Sequence, residues 1–241
     1  MAARKRDRVA NMVKEELTDA MVRAGYMPFD PLVERNEGAF WFKSDAVGIP
    51  HTFAAVQALI GFSRDGAVRC TGTAFLLSPA VGDILRSMPS DALLKGRGPD
   101  SSSLEYVDYR FFNELPGLEL VGKAPWVITE ADVPISVQWF ENRVSGAVAK
   151  WFDDRNSLEK LIWVAEEPIP GTSHDRIYPD VLRATIILCI VNGYFTEAAG
   201  LMTTHLERDH VHPNIDSFER AAAFDSALAD RFPEYRRARG R

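Results

Sequence analysis

Residues 52–77 read TFAAVQALIGFSRDGAVRCTGTAFLL. Two β-rich runs, Thr52 to Phe62 and Val68 to Leu77, flank Arg64-Asp65-Gly66, and the spacing predicts a β-hairpin. A two-residue Asp65-Gly66 loop would set Phe62 against Arg69 and Ile60 against Thr71. That register mixes apolar and polar groups on one face, which a sheet with a buried side avoids. A three-residue loop with Gly66 in the left-handed conformation shifts the pairing by one. Phe62 then faces Val68, Ile60 faces Cys70, Ala58 faces Gly72 and Val56 faces Ala74, so one face is wholly apolar. The other face pairs Gln57 with Thr73, Leu59 with Thr71 and Gly61 with Arg69. The small residues of the apolar face suit close packing of a helix, with Phe62, Ile60 and Cys70 expected to be buried together.

A helix precedes the hairpin. Val9, Met12, Val13, Leu17, Ala20, Met21 and Ala24 recur at three- and four-residue spacing, predicting an apolar stripe from about residue 6 to residue 24 with Gly25 as its stop. Met27 to Gly38 reads as loop, and Ala39 to Lys43 as a short aromatic strand. After the hairpin, a short helical piece over Ala80 to Met88 leads into residues 89–103, whose Ser, Gly, Asp and Pro content predicts a flexible loop. Leu104 to Phe112 and Trp126 to Thr129 read as strands. Asp132 is placed to cap a long helix from Val133 to Phe152, and Leu158 to Ala165 is a shorter one. Three prolines and a glycine make residues 167–179 a linker. Beyond it lie only helices: Val181 to Val191, a second to about Asp209, and a third from Ile215 to Arg231. The first two form a hairpin about Asn192-Gly193. Strands followed by helices, without β-α alternation, predict an α+β fold. An antiparallel sheet packs on helices over residues 1–166, and an all-helical extension spans 180–241.

The chain has 241 residues, a net charge of −6 and two cysteines. Cys70 and Cys189 sit in separate apolar runs, which favours buried thiols and a reducing cytoplasm. No run reaches the ~18 apolar residues of a membrane span. The negative charge argues against broad nucleic-acid binding. Arginines near both ends, from Arg4 to Arg8 and Arg236 to Arg241, read as solvated termini or as a contact for an acidic partner.

The layout of residues 6–165 resembles an uncharacterised bacterial family of unknown function. The leading helix, the strand carrying Gln57, and the strand with Arg110 in Tyr109-Arg110-Phe111 carry the resemblance. So do Trp126 shortly before Asp132 and the aromatic pair Trp151-Phe152. The resemblance implies this fold and a bacterial origin, and no reaction.

Two constellations bear chemistry. Residues 204–213 hold three of the five histidines. His205 and Asp209 lie four apart on one helical face, with His210 and His212 near the helix end. These are metal-ligand types, but no zinc-protease signature is present, and positive charge at a helix C-terminus is the plainer reading. The second constellation is a polar sheet face. Gln57, Arg69, Thr71 and Thr73 share one side of the hairpin, and Asp108 and Arg110 join them if Tyr106, Asp108, Arg110 and Phe112 face the same way. Arginine among aromatics suits partner contacts or the capture of a carboxylate or phosphate; the plainer reading is a solvated face with an Asp108–Arg110 pair. No phosphate loop, nucleophile elbow or activated cysteine is found, so no catalytic residue, metal ligand or cofactor is assigned. The sequence therefore reads as a non-enzymatic binding protein, immunity-like or regulatory, with a protein partner. A metal-dependent hydrolase built on His205, Asp209, His210 and His212 is the alternative.

Overall fold

A computed structural model describes residues 2–30, 38–45, 47–98, 100–166, 178–207 and 215–240. In chain order the elements are α1 (Ala2–Arg23), β1 (Met27–Phe29), β2 (Ala39–Ser44), β3 (Phe53–Phe62), β4 (Val68–Leu77), α2 (Pro79–Arg86), β5 (Tyr106–Phe111), α3 (Leu118–Val121) and β6 (Trp126–Val127). Then come α4 (Val133–Arg143), α5 (Ala149–Asp153), α6 (Leu158–Glu166), α7 (Pro179–Val191), α8 (Phe195–Glu207), α9 (Phe218–Arg231) and α10 (Pro233–Ala238). The fold is α+β, with an antiparallel sheet in the order β1-β2-β3-β4-β5 and β6 paired to β4. Contacts divide the chain into two units. One comprises residues 1–47, 53–76 and 109–154, the other 48–52, 77–108 and 155–241.

In the first unit the hairpin closes as the apolar pattern requires. Ser63 N–H donates to Ala67 O and Gly66 N–H to Ser63 O, around a three-residue loop in which Gly66 has φ 81°. A residue with a Cβ resists that backbone conformation. Val56, Ala58, Ile60, Val68, Cys70 and Ala74 are buried together on one face. The buried stripe of α1 is Val9, Val13, Leu17, Ala20 and Met21. Two cation–π contacts set α1 over the same face: Arg6 over the Phe62 ring and Lys14 over Phe40, the cross-strand neighbour of Ala58. Phe62 departs from expectation. It is 47% exposed at the turn end of the hairpin, where Arg6 covers one side of the ring.

The helix expected over 133–152 is continuous, but residues 144–148 form a π-helical turn between α4 and α5. The extra residue in that turn shifts the helical phase, and both Trp151 and Phe152 are buried. Asp132 acts one step earlier than expected. Its carboxylate accepts from the N–H groups of Ile128 and Thr129 in a capping box with Thr129, and these bonds hold its pKa below the ordinary value. Met27–Phe29, read as loop, is a strand paired to β2, whose partners Lys43 to Trp41 extend the sheet.

In the second unit α7 is the central element. Every residue from Pro179 to Ile190 except Asp180 is buried. Gly193, at φ 81°, ends α7, with Tyr194 N–H donating to Cys189 O and Gly193 N–H to Ile190 O. This left-handed helix stop sends the chain back as α8. Arg183 lies buried within the unit and donates to Ala92 O (2.6 Å), Asp216 (2.7 Å) and His205 (3.2 Å). Desolvation lowers its pKa to about 10, opposed by Asp216. Segment 89–103, expected as a flexible loop, carries local structure over its described residues. Short helical turns span Ser90–Ala92 and Ser102–Glu105, Leu93, Leu94 and Leu104 are buried, and Arg183 and Arg220 capture carbonyls of Ser90, Ala92 and Leu93. At the end of this unit Tyr235 and Arg239 both donate to the buried carboxylate of Asp225.

Candidate functional site

The hairpin register decides which side chains share a face. On the face opposite the apolar one, β3 presents Gln57 and Leu59, and β4 presents Arg69, Thr71 and Thr73. All five line one cleft of about 780 Å³, within the first unit. That volume lies in the range of small-ligand and peptide-residue sites, roughly 300–1,000 Å³.

β5 joins this face with the parity opposite to that expected. Phe112 N–H donates to Gly72 O, which sets Phe111 beside Thr73 and Tyr109 beside Phe75. The Phe75 and Tyr109 rings stack at 5.9 Å, and Phe111 and Asn113 line the cleft. Asp108 and Arg110 therefore belong to the other face of the strand. Asp108 is buried and pairs with Arg155 at 2.7 Å; Arg110 is half-buried. Four of the six residues expected to form a site are brought together, and these two are not among the cleft's lining.

The far wall of the cleft is the segment between β5 and β6, represented by Asn113, Leu118, Lys123 and Ala124. Donors from elsewhere in the unit hold its backbone in place. Arg143, buried on α4, donates to Pro116 O (3.0 Å), to Leu115 O (3.1 Å) and to Phe112 O. Trp139 Nε1 donates to Gly122 O at 3.0 Å, and Arg69 Nε to Ala124 O at 3.0 Å. Burial lowers the Arg143 pKa, with Glu119 opposing. Buried carbonyls without partners are costly, so these three side chains stabilise a wall that lacks a regular backbone ladder. The floor is Gly72. Only its backbone borders the cleft: a Cβ there would point to the apolar face and meet the Phe112 ring at 2.5–2.8 Å.

The electrostatics of the cleft have one sign. No Asp or Glu lines it, whereas Arg69 and Lys123 do. Among the described residues neither cation has a carboxylate partner. The guanidinium of Arg69 lies 5.3 Å from the centroid of Trp126, its cross-strand neighbour. With Nε committed to Ala124 O and the planar group set over the indole, its two terminal nitrogens make no hydrogen bond among the described residues. None of Lys123, Asn113, Phe111, Leu118 and Trp139 was expected from the sequence as a site residue. The one signal for them is the Trp139–Arg143 pair, two long donors four apart on one helical face.

Of the histidine cluster, Asp209, His210 and His212 lie outside the described residues. His205 is buried, with Nε2 accepting from Arg183 Nε at 3.2 Å and lying 3.4 Å from Asp216. Among the described residues no group of three or more His, Cys, Asp or Glu is arranged to hold a metal ion. Cys70 and Cys189 are buried free thiols, and burial pushes both up to about 12. No described helix is long and apolar enough to cross a membrane. The chain matches no family model, no curated protein and no solved structure in the comparisons made.

Proposed function

We propose that the protein is a non-enzymatic binding protein, immunity-like or regulatory in character, that engages a protein partner through the cleft on the polar face of β3 and β4. We place it in a bacterial cytoplasm: the layout resemblance supports the origin, and the two free, buried cysteines support a reducing setting. The observation that carries the reading is the lining of the cleft. Gln57, Arg69, Thr71 and Thr73 converge there with exposed Leu59 and Phe111. This combines hydrogen-bonding groups with apolar surface, as partner sites do. The same lining holds no carboxylate, histidine or cysteine, the groups that supply general bases and strong nucleophiles.

Amide chemical shifts of the full chain, titrated with a mixed pool of unstructured decapeptides of neutral and charged composition, test this reading. Shifts should concentrate at residues 57–59, 69–73, 111–113 and 123. A pool that leaves those amides unmoved would remove the support for the cleft as an interaction site.

A further inference from the structure

We infer that the cleft is a carboxylate receptor, in which the terminal nitrogens of Arg69 and the ammonium of Lys123 take the carboxylate of an acidic peptide segment. The inference rests on the binding reading above and names its ligand chemistry.

Three observations lead to it. The first is charge: the chain carries a net −6, yet this cleft is lined by two cations and no anion. The second is orientation. Arg69 is held at Nε by Ala124 O and over its face by Trp126, so its remaining donors are fixed before any ligand arrives. A fixed guanidinium edge presents two parallel N–H groups, a geometry that fits the two oxygens of a carboxylate. Ordering an arginine costs side-chain entropy, and here packing has already met that cost. The third is the remaining lining. The side chains of Gln57, Thr71 and Asn113 make no hydrogen bond among the described residues and can meet peptide N–H and C=O groups. Leu59 and Phe111, 37% and 47% exposed, offer cover for an adjacent apolar side chain.

A carboxylate fits better than a phosphate. A single pre-set fork matches a planar two-oxygen group, whereas phosphate sites add convergent backbone N–H groups at a nest or glycine-rich loop. A nucleic-acid backbone would also bring many charges against an acidic protein.

The carboxylate can come from a Glu side chain or from a peptide C-terminus, and the experiment separates the two. The full-length protein is titrated with a hexapeptide carrying one central Glu and an amidated C-terminus, with its Gln counterpart, and with the Gln peptide bearing a free C-terminus. Binding is read from amide shifts and from the side-chain Nε–H signal of Arg69. At least one carboxylate peptide should bind about tenfold or more tightly than the amide control, the loss expected when a charge-assisted hydrogen bond is removed. Lys123→Gln, at an exposed position, should weaken that peptide severalfold more than it weakens the amide control. Arg69→Lys keeps the charge but loses the fork, and should retain less affinity than the native protein. Binding of both carboxylate peptides no tighter than that of the amide control overturns the carboxylate inference and leaves the binding reading standing. Absence of any cleft shift overturns both. Tighter binding of an oligothymidylate at the same amides overturns it in favour of a nucleic-acid ligand.

Discussion

Gly72→Ala adds one carbon on the apolar face of β4, behind the cleft, and the structure gives its cost. The new Cβ would lie 2.5, 2.7 and 2.8 Å from three carbons of the Phe112 ring, all closer than real side-chain contacts allow. The ring cannot swing away cheaply. Phe112 is 2% exposed and packs against Phe140 at 4.9 Å and Trp139 at 6.5 Å. Overpacking of a closed core costs about 1–3 kcal/mol. Against this, replacing glycine restrains the unfolded chain and returns about 0.4–1 kcal/mol. The net expectation is a destabilisation of about 1–2 kcal/mol. Urea unfolding followed by tryptophan fluorescence should show a lower midpoint with an unchanged slope. The double variant Gly72→Ala/Phe112→Leu makes room for the methyl group, and should recover about 1 kcal/mol relative to additivity. A Gly72→Ala protein as stable as the native one, or strict additivity in the double variant, would refute this account of the packing behind the sheet.

Gly66→Val should destabilise by about 1 kcal/mol or more in the same assay, because a β-branched residue resists positive φ. Arg143→Met removes the donor for three carbonyls and should cost about 2–4 kcal/mol; hydrogen exchange should rise across residues 112–124, and protection there equal to that of the native protein would contradict the wall's anchoring. With pKa values of about 12, Cys70 and Cys189 carry almost no thiolate at pH 8, and labelling by a disulfide reagent should track global unfolding rather than rise steeply with pH. The purified protein should hold no stoichiometric transition metal by elemental analysis, since the ring nitrogen of His205 nearest Asp216 already accepts from Arg183; about one zinc, iron or manganese per chain, lost in His205→Ala, would restore the hydrolase reading.

The hairpin was legible because its register is over-determined. Only a three-residue loop keeps Ile60, Cys70, Ala58 and Gly72 on one side, and Gly66 permits it. The parity of β5 was not legible. Tyr106, Asp108, Arg110 and Phe112 alternate with Val107, Tyr109 and Phe111, so each set mixes aromatic residues with groups able to lie on either side. The phase is settled by long-range contacts, Phe112 N–H on Gly72 O and Asp108 with Arg155, which leave no periodic trace. Segments 89–103 and 113–124 stayed opaque for a related reason. Side chains distant in sequence hold them by their backbone carbonyls, and a carbonyl has no signature in composition. The four hairpin residues of the candidate site were therefore readable, and the cations and aromatics facing them from the wall were only partly so.

The tethering of that wall has an evolutionary consequence. Arg143, Trp139 and Arg69 grip the carbonyl oxygens of Phe112, Leu115, Pro116, Gly122 and Ala124, and every amino acid carries such an oxygen. The anchors are thus indifferent to which side chains the wall displays. Leu118 and Lys123 can be exchanged while the sheet, its apolar face and the three donors stay as they are. The cleft is divided into an anchored chassis and a rewritable lip, so a substitution in the lip changes the lining without loosening the backbone that carries it.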